Sequence, residues 1–294
     1  MDFAFSADQD SIREAIQKIC AGFDDAYWLK KDREGGFPVE FHKAVADAGW
    51  LGICIPEQYG GSGLGITDAA IMMRTISESG AGMSGASAVH MNVFGLNPVV
   101  VFGTEEQCRR MLPPIVSGAE RACFAVTEPN TGLNTTQLKT RAVRQGDKYV
   151  VNGQKVWIST AQVAEKILLL ARTTPLEDVK TPTRGLSLFY TDFDRTRIAV
   201  HEIEKMGRKA VDSNELFFEN FEIPVQDRIG EEGRGFEYIL HGMNPERILI
   251  AAEAVGLGKL ALSRAAEYAK SRIVFNRPIG QNQAIHHPLA KNWM

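Results

Sequence analysis

The sequence is short of cysteine, shows no excess of either charge and has no long apolar run. Its four cysteines lie far apart without C-x-x-C spacing, so neither a disulfide framework nor a zinc site is expected. The 33 basic and 36 acidic residues almost balance, which gives no indication of a nucleic-acid or membrane-surface protein. No run approaches the roughly 18 apolar residues of a membrane span, and the first residues lack the basic, apolar character of a signal segment.

The spacing of histidine and glycine residues excludes two further classes, metal-binding proteins and Rossmann-type nucleotide-binding proteins. The only adjacent histidines are His286 and His287, which would point about 100° apart on a helix, so no metal site is expected. The glycines of "YGGSGLGIT" do not make the G-x-G-x-x-G fingerprint and follow no strand of a βαβ unit. What remains is a globular protein of a reducing compartment, with neither a metal centre nor a Rossmann-type nucleotide site.

The spacing of apolar residues divides the chain into three parts and predicts an α+β multidomain protein. In residues 1–120 they recur at helical spacing, which predicts an all-α N-terminal domain. In residues 121–232 they alternate at strand spacing with no helix between the strands, which predicts an antiparallel β-barrel or sandwich as the middle domain. Residues 233–294 return to helical spacing. Because a pair of long helices needs further partners to bury its apolar faces, we expect this last helical part to be incomplete.

Several residues mark the ends of predicted elements. Ser6 and Thr104 each stand directly before a helical run and have the side-chain chemistry of an N-cap. Asn152-Gly153 lies between "KYVV" and "QKVWI", and such a pair predicts a two-residue hairpin turn between two strands.

The last long helix begins in an unusual way, in the stretch "NPERILIA". It is predicted to run from Pro245 to about Arg272, with Asn244 as its cap. Glu246 and Arg247 would then share the first turn, directly ahead of apolar residues. Local reasoning leaves two interpretations open: a solvated pair at the positive end of the helix dipole, or a catalytic base beside a substrate-orienting cation.

Two polar stretches in the β part have both a structural and a ligand-binding interpretation. The stretch "AVTEPNTGLNTT" (residues 125–136) is rich in hydroxyl and amide side chains, which suits a polar planar ligand or a diphosphate as well as a plain connecting loop. The stretch "VWIST" places Trp157 and Ser159 on the same face of a strand. The two side chains could hold a flat ring together, or the tryptophan could belong to the core and the serine to the surface.

Five linked stretches give these motifs a common interpretation: "CFAVTEPNTGLNTTQLKTRAV", "YVVNGQKVWIST", "KMGRKAVDSNELFFENFEIP", "ERILIAAEAVGLGKLAL" and "RIVFNRPIGQNQAI". In order and spacing they resemble the acyl-CoA dehydrogenase family, and "PEQYGGSG" fits the same family. The resemblance covers essentially all 294 residues. It implies an α-helical N-terminal domain, a β-barrel middle domain and a C-terminal four-helix bundle, of which this sequence holds the first part.

The resemblance also implies a reaction and its partners. Family members hold FAD without a Rossmann domain and oxidise an acyl-CoA thioester to the trans-2-enoyl-CoA. A carboxylate takes the α proton, and the β hydrogen leaves as a hydride to flavin N5. An electron-transfer flavoprotein is the implied electron acceptor, and a homodimer or homotetramer is the implied assembly. The implied location is the bacterial cytoplasm or the mitochondrial matrix.

The matching motif positions imply the site residues. The base would be Glu246, and the substrate contacts would be Leu133, Asn244 and Arg247. The contacts to the flavin ring would be Phe124, Val126, Thr127, Trp157, Ile158 and Ser159. The contacts to the ADP half of FAD, typically across a dimer interface, would be Arg272, Val274, Asn282 and Gln283.

Two positions depart from the family pattern, and the position of the base varies within the family. Leu133 stands where a hydroxyl residue usually touches the CoA arm, and Asn276 stands where a glycine is usual. Most members place the base in the C-terminal bundle, beyond the last residue of this sequence, whereas isovaleryl- and long-chain-type enzymes place it at the position of Glu246. The alternative functions are an acyl-CoA oxidase or flavin monooxygenase of the same fold, or an inactive, shortened member that retains FAD weakly.

Overall fold

The computed structural model describes residues 4–294, and the part before the first strand is helical, as predicted. Its α-helices are α1 Ala7–Cys20, α2 Asp25–Glu34, α3 Val39–Asp47, α4 Ile66–Ile76, α5 Gly82–Phe94, α6 Asn97–Phe102 and α7 Glu105–Val116. Ser6 and Thr104 cap α1 and α7, and in each case a glutamine three residues on bonds back to the cap. Both predicted caps are therefore confirmed.

The stretch Ile66–Phe102 is the one part of the described chain that is long and apolar enough to be considered as a membrane span. It is not one regular helix, because Gly80, with a φ of 105°, interrupts it between α4 and α5. In addition, 72% of its apolar window is buried inside the protein. α4 and α5 are thus mostly buried core helices of a folded protein.

The strands of the middle part are β1 Ala122–Ala125, β2 Arg141–Gln145, β3 Lys148–Ser159, β4 Lys166–Arg172, β5 Leu186–Asp192, β6 Ile198–Glu202, β7 Ser213–Pro224 and β8 Arg228–Ile229. Their order along the sheet is β6-β7-β3-β2-β4-β5-β8, with β1 beside β4. Most pairs are antiparallel, as predicted, but β1 and β2 each pair with β4 in parallel. Among the described strands, the two-residue β8 pairs only with β5 and does not reach β6. The predicted barrel is therefore not closed.

The predicted hairpin turn at Asn152-Gly153 is wrong. β3 runs through both residues, and the turn between β2 and β3 is Gly146-Asp147. The glycine at 153 is needed for another reason: its φ is 151°, and a Cβ there would lie 2.6 Å from Oγ1 of Thr140. The register of β3 against β7 also shifts at this point, so the pair marks a bulge and a close approach.

Substitution of Gly153 by alanine should lower the free energy of unfolding by about 3 kcal/mol. This value combines backbone strain of about 1–2 kcal/mol with overpacking of about 1–3 kcal/mol against Thr140. Gly146→Ala is the matched control, because Gly146 also has a positive φ but its added Cβ would meet nothing within 4 Å. Denaturant unfolding followed by fluorescence measures both losses. Equal losses would show that the contact with Thr140 contributes nothing.

The long helix begins earlier than predicted: α8 spans Gly235–Ser271, and Pro245 lies inside it. Proline has no N–H to offer the carbonyl of His241. Asn97 of α6 supplies the missing donor, since its Nδ2 donates to that carbonyl at 2.6 Å. Because the carbonyl is satisfied, the helix continues. Glu246 therefore lies well inside α8, and the interpretation as a capping pair at the positive end of the helix is excluded.

After α8 come a short hairpin, β9 Ile273–Val274 with β10 Arg277–Pro278, and the helix α9 Gln283–Trp293. The hairpin turn is Phe275-Asn276, with φ values of 52° and 61°. This left-handed conformation explains why glycine is usual at the position of Asn276 and why asparagine is tolerated there.

β4 lies between two cores and shows how the helices pack on the sheet. Alternate residues of a strand point to opposite faces. Ile167 and Leu169 join the core inside the folded sheet, whereas Leu168 and Leu170 join the core shared with α6, α7 and the start of α8. A strand buried on both faces is apolar throughout, which accounts for the run "ILLLA".

Candidate active site

A cavity of about 210 Å³ lies where the helical N-terminal part, the sheet and α8 meet. Four of the predicted site residues line it: Phe124, Trp157, Ser159 and Glu246. The other lining residues are Ser87, His90, Met91, Phe94, Thr160, Arg208 and Ile250. Four larger clefts in the described chain, of about 340, 450, 670 and 730 Å³, are not lined by any predicted site residue. We therefore place the candidate site in the smaller cavity.

Aromatic rings form the apolar side of the cavity. Phe94 of α5 packs edge-on against His90 and Phe124, with ring centroids 4.8 and 5.2 Å apart. Trp157 belongs to the same wall, but 62% of its surface is exposed. A large ring left open beside a cavity offers a flat apolar face to a ligand.

Backbone strain concentrates at the same place. Of the six non-glycine residues with positive φ in the described chain, three line the cavity: Trp157, Thr160 and Arg208. For Trp157 the cause is a bulge, because the register of β3 against β7 shifts between Lys155 and Ile158. Bulky residues adopt this conformation only where their surroundings impose it, and such residues cluster at ligand sites. The strain favours the ligand-binding interpretation of "VWIST".

An imidazole between two carboxylates forms the polar side of the cavity. Oε1 of Glu246 lies 3.7 Å from Nε2 of His90, and Oε1 of Glu253 makes a close contact with Nδ1 of the same ring. Burial lowers the pKa of His90, but the two carboxylates outweigh burial and raise it to about 9. The two flanking carboxylates and the raised pKa both favour the protonated ring at neutral pH.

Arg208 brings a second cation to the cavity. Its Nη1 donates to Oγ of Ser87 at 2.9 Å, and its Nη2 donates to Oγ of Ser159 at 3.5 Å. Burial lowers the pKa of this guanidinium, while the charges of Glu253 and Asp212 oppose the change. An arginine stays charged in proteins, so the hydroxyl of Ser159 is oriented by a cation.

A buried ion pair holds the loop that follows β1. Lys155 is 0% exposed, and its Nζ donates to Oε1 of Glu128 at 3.0 Å and to the carbonyl of Val126 at 2.9 Å. The Glu128 carboxylate also accepts from the backbone N–H groups of Lys139 and Thr140, at 2.7 and 2.9 Å. One carboxylate thus ties both ends of the loop to β3.

Comparison with known proteins agrees with this architecture. The profiles of the acyl-CoA dehydrogenase N-terminal, middle and C-terminal domains match residues 6–119, 123–221 and 233–294. The acyl-CoA dehydrogenase fadE12 of Mycobacterium bovis is 32% identical over 293 residues, which are 98% of this chain and 73% of that protein. The chain belongs to the acyl-CoA dehydrogenase family.

Two further relatives support the assignment to the acyl-CoA dehydrogenase family. The mitochondrial isovaleryl-CoA dehydrogenase of Solanum tuberosum is 31% identical over 97% of this chain and 69% of its own length. The solved structure of butyryl-CoA dehydrogenase from Megasphaera elsdenii has a TM-score of 0.92 at 27% identity, covering 100% of this chain and 77% of that one. The predicted order of helical, β and helical parts is therefore confirmed, as is the enzyme class of acyl-CoA dehydrogenase.

Several residues that the acyl-CoA dehydrogenase motifs imply as contacts do not line the cavity. Val126 and Ile158 are buried in the cores beside it. Thr127 is partly buried, and its carbonyl accepts from the N–H of Val156 at 2.9 Å. Leu133 is fully exposed. The roles of these residues in binding remain predictions.

The residues beside Glu246 in sequence are not its partners in space. Nη1 of Arg247 donates to Oδ1 of Asn244 at 2.7 Å, whereas Glu246 pairs with His90. Arg247 is therefore not the group that balances the charge of Glu246, because consecutive helical residues point in different directions. The four predicted ADP contacts lie around the hairpin β9–β10 and the start of α9, outside the cavity lining: Arg272, Val274, Asn282 and Gln283.

Sequence reasoning missed two charged residues of the site, His90 and Arg208. His90 is the one histidine of α5, a helix of mostly apolar and small residues, and a buried titratable group needs a partner. Glu253 is likewise a lone acid in the apolar stretch "IAAEAVG". A single polar residue in an otherwise apolar helix indicates a buried interaction, and His90 and Glu253 both fit this pattern. Arg208 offers none, because its position depends on the loop ahead of β7.

Proposed function

We propose that this chain carries out the FAD-dependent α,β-dehydrogenation of an acyl-CoA thioester to the trans-2-enoyl-CoA. The observation that carries the proposal is that the carboxylate of Glu246 shares one cavity with the exposed ring of Trp157 and the hydroxyl of Ser159. The reaction needs a proton acceptor and a hydride acceptor on either side of one Cα–Cβ bond. A carboxylate on α8 facing a wall that suits a flavin meets this need.

The residues of the wall fit an isoalloxazine ring. Trp157 can stack on a flat ring, Ser159 can hydrogen-bond a heteroatom at its edge, and Phe124 adds apolar surface. FAD, when bound there, supplies the hydride acceptor, flavin N5. The part of the protein is to hold the ring, exclude water and present a base.

Glu246 is the base in this proposal. Its carboxylate is held by an ion pair of 3.7 Å to His90 rather than by a short hydrogen bond, so an oxygen is available to take the α proton. The rings of Phe94 and Phe124 line the same cavity. An acyl chain that displaces water from this apolar surface strengthens the electrostatic interactions at the reacting atoms.

Flavin reduction tests the proposal. The protein with excess FAD is mixed anaerobically with straight and branched acyl-CoA thioesters. We expect at least one of them to bleach the flavin absorbance and to yield an equal amount of enoyl-CoA, measured by chromatography. Failure of every thioester to bleach the flavin would contradict the proposed function.

The alternative is an acyl-CoA oxidase of the same fold, and reoxidation separates the two. A dehydrogenase forms enoyl-CoA with an artificial acceptor and little peroxide in air, whereas an oxidase reoxidises rapidly with oxygen and releases peroxide. We favour the dehydrogenase because the relatives named above are dehydrogenases. On family membership we also propose an electron-transfer flavoprotein as acceptor and a homodimer or homotetramer as assembly. Turnover with that flavoprotein and analytical ultracentrifugation test these two points.

A further inference from the structure

We propose that His90 is a positioning residue that places a positive charge beside the Glu246 carboxylate and keeps it turned towards the cavity, and that Glu253 is the buried anchor of His90. The inference rests on the proposed function of Glu246 as the base. A carboxylate in an apolar cavity tends to lose its charge when a substrate displaces the water around it. A fixed cation beside the base opposes that loss.

The three side chains form a line from the core to the cavity. Glu253 is 0% exposed, and its Oε1 contacts Nδ1 of His90. The other ring nitrogen, Nε2, lies 3.7 Å from Oε1 of Glu246 and has no hydrogen-bond partner within the described chain. Two turns of α8 separate the two acids, so the helix presents both on the side that faces α5. His90 thus has one nitrogen fixed in the core and one directed at the base.

The charges around His90 favour the protonated ring. Glu246 and Glu253 face it from α8, and Arg208 faces Glu253 from the loop ahead of β7, bonded to Ser87 of the helix that carries His90. Both charges that act on the ring of His90 are negative, and Arg208 is in turn balanced by Glu253 and Asp212. In addition, only the imidazolium carries a proton on both nitrogens, so that an N–H faces each carboxylate.

The anchor determines what happens when the base is protonated. Transfer of the α proton to Glu246 removes the charge of that carboxylate. The charge of His90 is then still balanced by Glu253. The ring is therefore expected to keep both its position and its proton. His90 therefore acts through Glu246 and does not itself exchange a proton with the substrate.

Histidine NMR tests the charge of His90 without turnover. The signal lost in His90→Gln identifies the residue, and in the wild-type protein it should titrate with a midpoint of about 9 instead of 6.5. Glu253→Gln should lower the midpoint by about one pH unit or more, the effect of removing a close opposite charge. Glu267→Gln, an exposed acid on the same helix, is the matched control and should leave it unchanged. A midpoint at or below 6.5, or one that Glu253→Gln leaves in place, overturns the proposal.

The pH dependence of flavin reduction tests the positioning role. The double variant His90→Gln with Glu253→Gln removes the cation and its anchor together, and its two amides can still hydrogen-bond, so the fold is preserved. Without the cation that faces Glu246, the acidic limb of the rate profile should move to higher pH. A merely structural role would lower the alkaline plateau and leave the limb in place.

The two readouts distinguish this inference from the proposed function. If acyl-CoA bleaches the flavin while His90 titrates at its ordinary value, the proposed function stands and the inference fails. If His90 titrates high but no acyl-CoA bleaches the flavin, the ion cluster is real, while the proposed function and a positioning role in it both fail.

Discussion

Glu246→Gln is expected to slow flavin reduction by acyl-CoA about 100-fold or more, the effect of removing a general base. Glutamine keeps the shape of the side chain but has no carboxylate to take the α proton. Its amide can still reach the ring of His90, which lies 3.7 Å from the wild-type carboxylate, so FAD binding and folding should be preserved. Stopped-flow absorbance after anaerobic mixing measures the rate.

The matched control for this experiment is Glu267→Gln. Glu267 lies on the same helix and forms an exposed ion pair with Lys270 at 2.7 Å, so its loss should leave the rate of flavin reduction unchanged. If Glu246→Gln also reacts at the wild-type rate, Glu246 is not the base. The base would then be a different carboxylate, as in the family members that carry it in the C-terminal bundle.

Glu128→Gln is expected to lower the free energy of unfolding by about 3–5 kcal/mol, the usual loss when one partner of a buried ion pair is removed. Burial lowers the pKa of Lys155 to about 8, against the opposing charge of Glu128. Without that carboxylate, the fully buried Lys155 loses its counter-ion and must either keep an unbalanced charge or give up its proton, both of which cost stability. The N–H groups of Lys139 and Thr140 also lose their charged acceptor. Urea unfolding followed by tryptophan fluorescence measures the loss.

The double variant Glu128→Gln with Lys155→Met separates the ion pair from the loop contacts. It removes the isolated ammonium, so it should unfold at higher urea concentration than Glu128→Gln alone. The loop contacts are still weakened, so recovery to the wild-type value is not expected. A single variant within about 0.5 kcal/mol of wild type, the range of an ordinary surface substitution, would show that the pair contributes little.

Sequence patterns were sufficient for features that depend on neighbouring residues. Apolar spacing predicted helices, then strands, then helices. The caps at Ser6 and Thr104 were predicted correctly because a cap and its partner are three residues apart. The contiguous motif "VWIST" likewise led to Trp157 and Ser159, and "NPERILIA" led to Glu246. All three side chains line one cavity.

The wrong predictions share a cause, which is a hydrogen bond or contact from a distant part of the chain. Pro245 favours a helix start locally, but Asn97 satisfies the carbonyl that the proline leaves free. An Asn-Gly pair favours a turn locally, but at Gly153 the glycine serves the close approach of Thr140.

The sequence by itself determined the order of helices and strands, the family and the candidate base, because these are recorded in residues close together along the chain. Only the tertiary structure decided that the sheet stays open, that α8 continues through Pro245 and that His90 lies between Glu246 and Glu253. The ring of His90 is 163 residues from Glu253 in the chain. The two carboxylates that folding brings to this ring raise its pKa against the effect of burial, and no local pattern contains that information.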